Sequence, residues 1–457
     1  METRGAEQER FTWNKQSGPK VAVIGAGPAG LMAAETLAGH GAQVTVLDAM
    51  PSVGRKFLMA GKGGMNITHS EPFVDFVQRY GARADALRPM LESFGPDALR
   101  EWVAGLGVET FVGSSGRVFP KEMKAAPLLR AWVSRLRGQG VRFEVRHRWQ
   151  GWAEDGGLLF DSAWGERQYP FDAVVLALGG GSWPKLGSDG AWTRTLHAAG
   201  AEIAPLRPSN CGFEVGGWRV PRGWSEHFRS RYVGQALKRV RVSAGLTHPR
   251  LGELVITDTG VEGGIVYALS PALRDNLEAG LPAALELDLL PDHPAKVVAD
   301  EVVRPRGSRS LSSHLQSRLG LRGVKMALLR ELLTDEQIAD PEELARAIKC
   351  LSVPLIEPRP LAEAISSAGG VCFASLDEGL MLRSKPGTFC VGEMLDWEAP
   401  TGGYLLTACF ATGRWAAEHT AKWLMARAEA GRMPHGRDEP PGRPAVADAP
   451  TSGLPIR

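Results

Sequence analysis

The chain has few cysteines, no surplus of charge of one sign and no uninterrupted apolar run long enough to dictate a membrane span. Only five of its 457 residues are cysteine: Cys211, Cys350, Cys372, Cys390 and Cys409. None forms a C-x-x-C pair, so neither a metal knuckle nor a thioredoxin-like dithiol is encoded. The first thiol arrives only at position 211, which argues against a disulfide reductase that carries its dithiol early. Isolated thiols in odd number suit a reducing compartment, and a cytoplasmic location is expected. Lysine and arginine total 53 against 51 acidic residues, a net charge of +2. No strong field therefore draws in nucleic acid or an anionic membrane, and neither is an expected partner.

Other chemistries lack their signatures. The ten histidines show no zinc-ligand spacing, no G-x-S-x-G nucleophile elbow occurs, and no repeat is evident. Residues 1–18 mix Glu2, Arg4, Glu7, Glu9, Arg10 and Lys15 without an apolar centre, unlike a signal peptide. Residues 21–38 approach the length of a short membrane span, but Gly25, Gly27, Pro28, Gly30 and Glu35 interrupt them. A strand, a turn and a helix fit that pattern better.

What is present reads as a βαβ unit. Residues 20–24 contain Val21, Val23 and Ile24 and end at a glycine, as a buried strand does. A helix is expected over 28–40, and a second strand over 43–47, rich in β-branched residues. Between them lies Gly25-Ala26-Gly27-Pro28-Ala29-Gly30, a G-x-G-x-x-G. Alone the motif is weak; after a strand and at the opening of a helix it describes a dinucleotide turn. The first glycine permits the turn, the second admits a pyrophosphate, and the third lets helix and strand approach. Free N–H groups at the helix start would then face the phosphates. Asp48 follows eighteen positions after Gly30, where a carboxylate can accept from ribose hydroxyls. A plain glycine turn with a surface aspartate is the alternative.

The stretches that choose between dinucleotides lie elsewhere. Gly54-Arg55-Lys56 precedes a glycine-dense loop containing Gly63 and Asn66, whose backbone could approach a ring system. Far downstream, Gly392-Glu393 and Asp396 follow an apolar strand over 388–391, and Gly402-Gly403-Tyr404 opens a last helix. An acid at a strand end can hold a ribityl chain, and a helix N-terminus can stabilise charge at flavin N1 and O2. Taken singly, Asp396 also reads as a turn residue and Thr401 as a helix cap. His69, after the glycine loop, is the titratable residue of interest, and Trp183 and Tyr404 could border a ring. No second G-x-G-x-x-G supplies a separate nicotinamide domain.

These motifs together resemble the bacterial NAD(P)/FAD-dependent oxidoreductases of the BaiN/RdsA type, the NAD(FAD)-utilising dehydrogenases. The resemblance runs over about residues 21–419. It rests on Gly25–Gly30, Gly54-Arg55-Lys56, Asn66-Ile67-Thr68, Gly116-Arg117-Val118-Phe119-Pro120 and Leu178-Gly179-Gly180 with Pro184-Lys185. It continues through Gly369-Gly370-Val371, Gly392-Glu393, Leu395-Asp396 and Thr401-Gly402-Gly403-Tyr404. It implies an α/β fold: a discontinuous Rossmann-like FAD domain of glutathione-reductase type, with a β-rich and helical domain inserted.

The expected division is a tail over 1–18, FAD-domain pieces over 19–204 and 351–428, the insert over 205–350 and a tail over 429–457. By the resemblance, Gly25, Gly27, Gly30 and Asp48 hold the ADP half. Arg55, Lys56, Gly63 and Asn66 run toward the flavin, and Gly180, Asp396, Gly402, Gly403 and Tyr404 complete the site. Gly64-Met65, Leu405-Leu406-Thr407 and Leu178 depart from the commoner polar forms, as in a divergent branch. The expected activity is hydride transfer through FAD to or from a small organic substrate, with NAD(P)H as a transient donor. A flavin-dependent RNA-modifying enzyme and a non-catalytic flavin-binding protein are the alternatives, and no catalytic acid or base is assigned.

Overall fold

The computed structural model describes residues 18–61 and 63–432. The tails expected over 1–18 and 429–457 fall almost wholly outside the described residues; of the second, 429–432 continue the last helix.

Five strands form one parallel sheet in the order Thr388–Cys390, Ala173–Leu176, Lys20–Ile24, Gln43–Asp48, Arg142–Val145. Strands buried on both faces must be apolar throughout, and Ala173–Leu176 is buried at all four positions. The chain runs from the central strand outward to Arg142–Val145. It then returns to the other side of Lys20–Ile24 to lay down Ala173–Leu176 and, after the insert, Thr388–Cys390. Strand order therefore reverses at the central strand, and the crevice at such a reversal is where open α/β sheets bind ligands.

Two helices pin the first strand against the last part of the chain. Pro28–Gly39 carries proline in its first turn, where no N–H is needed. It lies along the last helix, Tyr404–Arg432, so closely that a side chain at Gly413 would strike the carbonyl of Ala29. Between Arg142–Val145 and Ala173–Leu176 the chain makes an antiparallel sheet of His147–Trp152, Leu158–Ser162 and Gly165–Tyr169.

The insert has its own core, separate from that of the parallel sheet and spanning Cys211 to Ala364. Six strands close a barrel in the order Phe213–Val215, Gly260–Glu262, Arg250–Ile256, Ala236–Ser243, Ala283–Asp288, Leu351–Pro358. Helices including Gly264–Glu278 and Pro341–Lys349 cover it. The chain leaves and returns through an antiparallel pair, Ile203–Ser209 and Ser366–Val371.

That corrects the boundary expected at 350. Leu351, Val353 and Leu355 alternate inward and close the barrel against Ala283–Asp288, so Leu351–Pro358 belongs to the insert. Among the described residues, no helix is long and apolar enough to cross a membrane.

The turn glycines separate by role. A side chain at Gly30 would run into the Gly25 carbonyl, whereas one at Gly39 would meet nothing within 4 Å. Gly30→Ala should therefore lower the melting temperature or abolish soluble expression. Gly39→Ala should be neutral or stabilise by about 0.5–1 kcal/mol through helix propensity. Equal melting temperatures for the two variants would contradict the close helix–turn contact.

Candidate functional site

A groove of about 550 Å³ runs along the reversal point of the sheet and draws its lining from the first, central and last parts of the chain. That volume is typical of a small-molecule or cofactor site. Gly25 to Ala29 and Asp48 line it with Met50, His147, Arg148, Trp149, Ser188 and Trp192. Lys56, Asn66, Glu393, Thr401, Gly402 and Gly403 line it as well.

The glycine turn is built as its spacing demands. Gly25 adopts φ +104°, and a side chain there would strike Ala177. Gly27 opens onto empty space, so a ligand can approach its backbone. Gly30 lies behind the turn and is not part of the lining. The Asp48 carboxylate accepts the N–H groups of Ala26 (2.7 Å) and Met50 (2.8 Å), tying the second strand's end to the turn. Burial raises its pKa, against the pull of those two N–H groups.

Lys56 and Glu393 join the two distant segments. Lys56 Nζ donates to Glu393 Oε2 (2.6 Å) and to Ser182 Oγ (2.7 Å), while Glu393 Oε1 accepts the N–H of Ser367 (3.0 Å). Glu393 is 7% exposed, so these partners replace the water it has lost. Ser367 Oγ in turn accepts the N–H of Gly181 (2.8 Å).

Four polar atoms among the groove residues have no hydrogen-bond partner among the described residues: Arg55 Nε, Asn66 Oδ1, Trp149 Nε1 and Ser188 Oγ. Asn66 spends its amide hydrogens on the carbonyls of Thr68 (2.9 Å) and Val118 (3.0 Å), which fixes its oxygen as a free acceptor. Buried polar atoms without partners are costly, and a ligand that supplies both acceptors and donors would satisfy all four. Glycine backbone, a basic pair and these polar atoms fit a dinucleotide that ends in a polar ring.

Other expected site residues stand beside the groove and not in its lining. Gly63 is exposed, and its neighbour Gly64 lines the groove. Gly180 presses against Ser367, while Gly179 faces the groove. Gly392 sits beneath it, against Ala29 and Cys409. Asp396 is turned away and ion-paired with Arg83, so of the two downstream acids Glu393 faces the groove.

Tyr404 is buried behind the helix start and donates its hydroxyl to Glu71 Oε1 (2.5 Å). Burial and that bond raise the tyrosine pKa. Burial would also raise Glu71, but bonds from Arg79 and Tyr404 hold its carboxyl below the usual range. His69 stacks on Tyr404 at 5.4 Å; Nδ1 accepts from Glu71 N (3.1 Å) and Nε2 lies 3.0 Å from Ser115 O. Engaged at both nitrogens and outside the lining, it holds backbone together.

Sequence reasoning missed Ser182, Ser188, Ser367 and Asn210, isolated small polar residues whose positions carry no motif. Trp183, expected as a ring neighbour, does line the groove. So does Cys409, whose thiol burial pushes up to about 12, leaving it protonated and unreactive at neutral pH. Among the described residues, no cluster of His, Cys, Asp or Glu could hold a metal ion.

Comparison with known proteins agrees with this architecture. The HI0933-like protein Rossmann domain model matches residues 19–419. A 3-dehydro-bile acid delta(4,6)-reductase of Clostridium scindens is 27% identical, over 88% of this chain and 99% of its own. A ribosomal RNA dihydrouridine synthase of Haemophilus influenzae is 24% identical, over 84% of this chain and 93% of its own. A solved flavocytochrome c3 fumarate reductase in an open conformation aligns with TM-score 0.48 and 16% identity, over 89% and 79% of the two chains. With the family model matched across sheet, insert and last helix, the chain belongs to the HI0933-like protein Rossmann domain family.

Proposed function

We propose that this protein is an FAD-dependent reductase or dehydrogenase that moves hydride to or from a small organic substrate, with NAD(P)H as a transiently docked donor. The single observation that carries the reading is the continuous groove joining the Gly25–Gly30 turn to Glu393 and Gly402-Gly403. A bound flavin would supply the hydride chemistry, and the chain's own residues would bind, orient and exclude water. Gly25, Ala26, Gly27, Pro28, Ala29 and Asp48 would hold the adenosine and pyrophosphate end. Arg55 would offer its unpaired Nε to an acceptor oxygen, and Asn66 Oδ1 would accept from an N–H of the ring end. Gly402 and Gly403 bring the helix start, with its unsatisfied N–H groups, to that end.

The reductase relative supports a small-molecule substrate, since alignment with it covers nearly all of both chains. The absence of a second nucleotide turn supports a nicotinamide that docks beside the ring, without a domain of its own.

The dihydrouridine synthase relative favours one second reading, action on RNA. The insert carries Arg229, Arg231, Lys238, Arg239 and Arg241, but Arg229 is paired with Glu226 and Arg239 with Asp292. The remaining charge is modest for a polyanion surface. Salt-sensitive binding of ribosomal RNA at micromolar protein would favour this reading, and its absence would dispose of it.

Three outcomes test the principal reading. Gly27→Val should fold with an unchanged melting temperature yet lose FAD affinity by roughly a hundredfold, because the side chain projects only into the groove. Equal affinity in that variant would remove the groove as the cofactor site. Lys56→Met should weaken FAD binding by about tenfold or more by leaving Glu393 uncompensated, and adding Glu393→Gln should restore part of the loss. Strictly additive losses in a double-mutant cycle would show that the pair does not act as a unit. Anaerobic mixing with NADH and NADPH should bleach the visible flavin band with at least one of them; no bleaching with either removes the nicotinamide link.

A further inference from the structure

The loop that leads into the last helix is held from the insert, by side chains that no motif marks. Asn210, at the insert's root, is 3% exposed and lines the groove. Its Nδ2 donates to the Ala399 carbonyl (2.8 Å) and to Ser366 Oγ (2.7 Å), and its Oδ1 accepts the Thr401 N–H (3.0 Å). One amide thus brackets Pro400 on both sides.

Next to it, Arg274 of helix Gly264–Glu278 is wholly buried and grips Glu398 with two nitrogens, at 2.8 and 3.0 Å. Arg274 also donates to the Pro208 carbonyl (3.0 Å) and to Asp275 (2.8 Å), and Ser209 donates to Glu398 (2.7 Å). A bidentate arginine–carboxylate pair fixes orientation as well as distance, and a buried one is maintained only with its hydrogen bonds complete. Residues 398–401 are therefore clamped at both ends by the insert, and Gly402 and Gly403 follow directly into the groove lining.

We infer that Asn210 and Arg274 are positioning residues for the ring end of the groove: the insert sets the placement of the last helix's N-terminus and, through it, the redox properties of the bound cofactor. The inference rests on the FAD reading above and goes beyond it by giving the insert a function in the chemistry. A helix start stabilises negative charge only within about its first turn, so small displacements of this loop change the stabilisation. Arg274 is outside the groove lining, and Asn210, which lines it, has its amide engaged by Ser366, Ala399 and Thr401, so both act through the 398–401 loop.

The test uses FAD-reconstituted full-length protein. Asn210 has φ +51°, a conformation glycine adopts freely, so Asn210→Gly removes the clamp without adding backbone strain. Leu285→Ala serves as a control for general destabilisation, since it opens a cavity in the barrel core at a residue remote in sequence from the loop. Asn210→Gly should shift the flavin midpoint potential to more negative values, alter the visible absorbance band and weaken FAD binding by roughly tenfold. Leu285→Ala should lower the melting temperature and leave potential and spectrum as in the parent. Arg274→Lys, which keeps the charge but loses the two-pronged grip, should fall between parent and Asn210→Gly in potential. If Asn210→Gly and Leu285→Ala give the same potential and spectrum as the parent, the positioning role is overturned while the FAD reading stands. A parent that takes up no flavin overturns both.

Discussion

The structure depends on bringing together two segments that are more than three hundred residues apart, and the Lys56–Glu393 pair is where they touch inside the groove. A carboxylate so nearly buried needs partners, and they come from two places: Lys56, itself held by Ser182, and the backbone of Ser367. Placing them correctly requires the parallel sheet to have its first strand in the middle. It also requires the insert to return its chain beside the strand from which it left. The sheet order, the strand pair Ile203–Ser209 with Ser366–Val371 and the alignment of the first and last helices all serve that meeting.

The insert meets this requirement with a second core of its own. A closed barrel has no free sheet edge, so it can be added between two strands of the parent domain without exposing unpaired backbone. Its roots, Asn210 on the way in and Ile365-Ser366 on the way out, reach the groove, and its covering helix supplies Arg274. The insert is thereby tied to the wall of the groove.

Much of this was legible in the sequence, for physical reasons that differ by element. The strand Lys20–Ile24 and the helix after it were plain because apolar runs bounded by glycine and proline leave little choice of conformation. The glycine turn was equally plain, since each glycine answers a distinct steric demand. The return of the chain near Glu393 was legible only through the combined motifs. Which acid faces the groove was not: Glu393 and Asp396 stand three positions apart, and Arg83, remote in sequence, takes Asp396. Tyr404 read as a ring neighbour and His69 as the titratable residue of interest because each flanks glycines, yet neither lines the groove and the two stack on each other beside the close approach of Gly403 to the Thr68 backbone. The insert's far boundary was missed because Leu351–Pro358 alternates like any edge strand, and only the barrel's closure assigns it. Asn210 and Arg274 gave no sequence signal, for their role lies wholly in long-range hydrogen bonds.

The central claim is that one elongated cofactor lies along the groove with its adenine at the Gly25–Gly30 turn and its ring at the last helix. The most direct measurement is a visible spectrum of the freshly purified protein, followed by denaturation and mass analysis of whatever is released. The account predicts flavin absorbance and release of intact FAD in close to equimolar amount, or full recovery of both on reconstitution. A colourless protein that takes up no FAD, or one that releases only a mononucleotide, would contradict it.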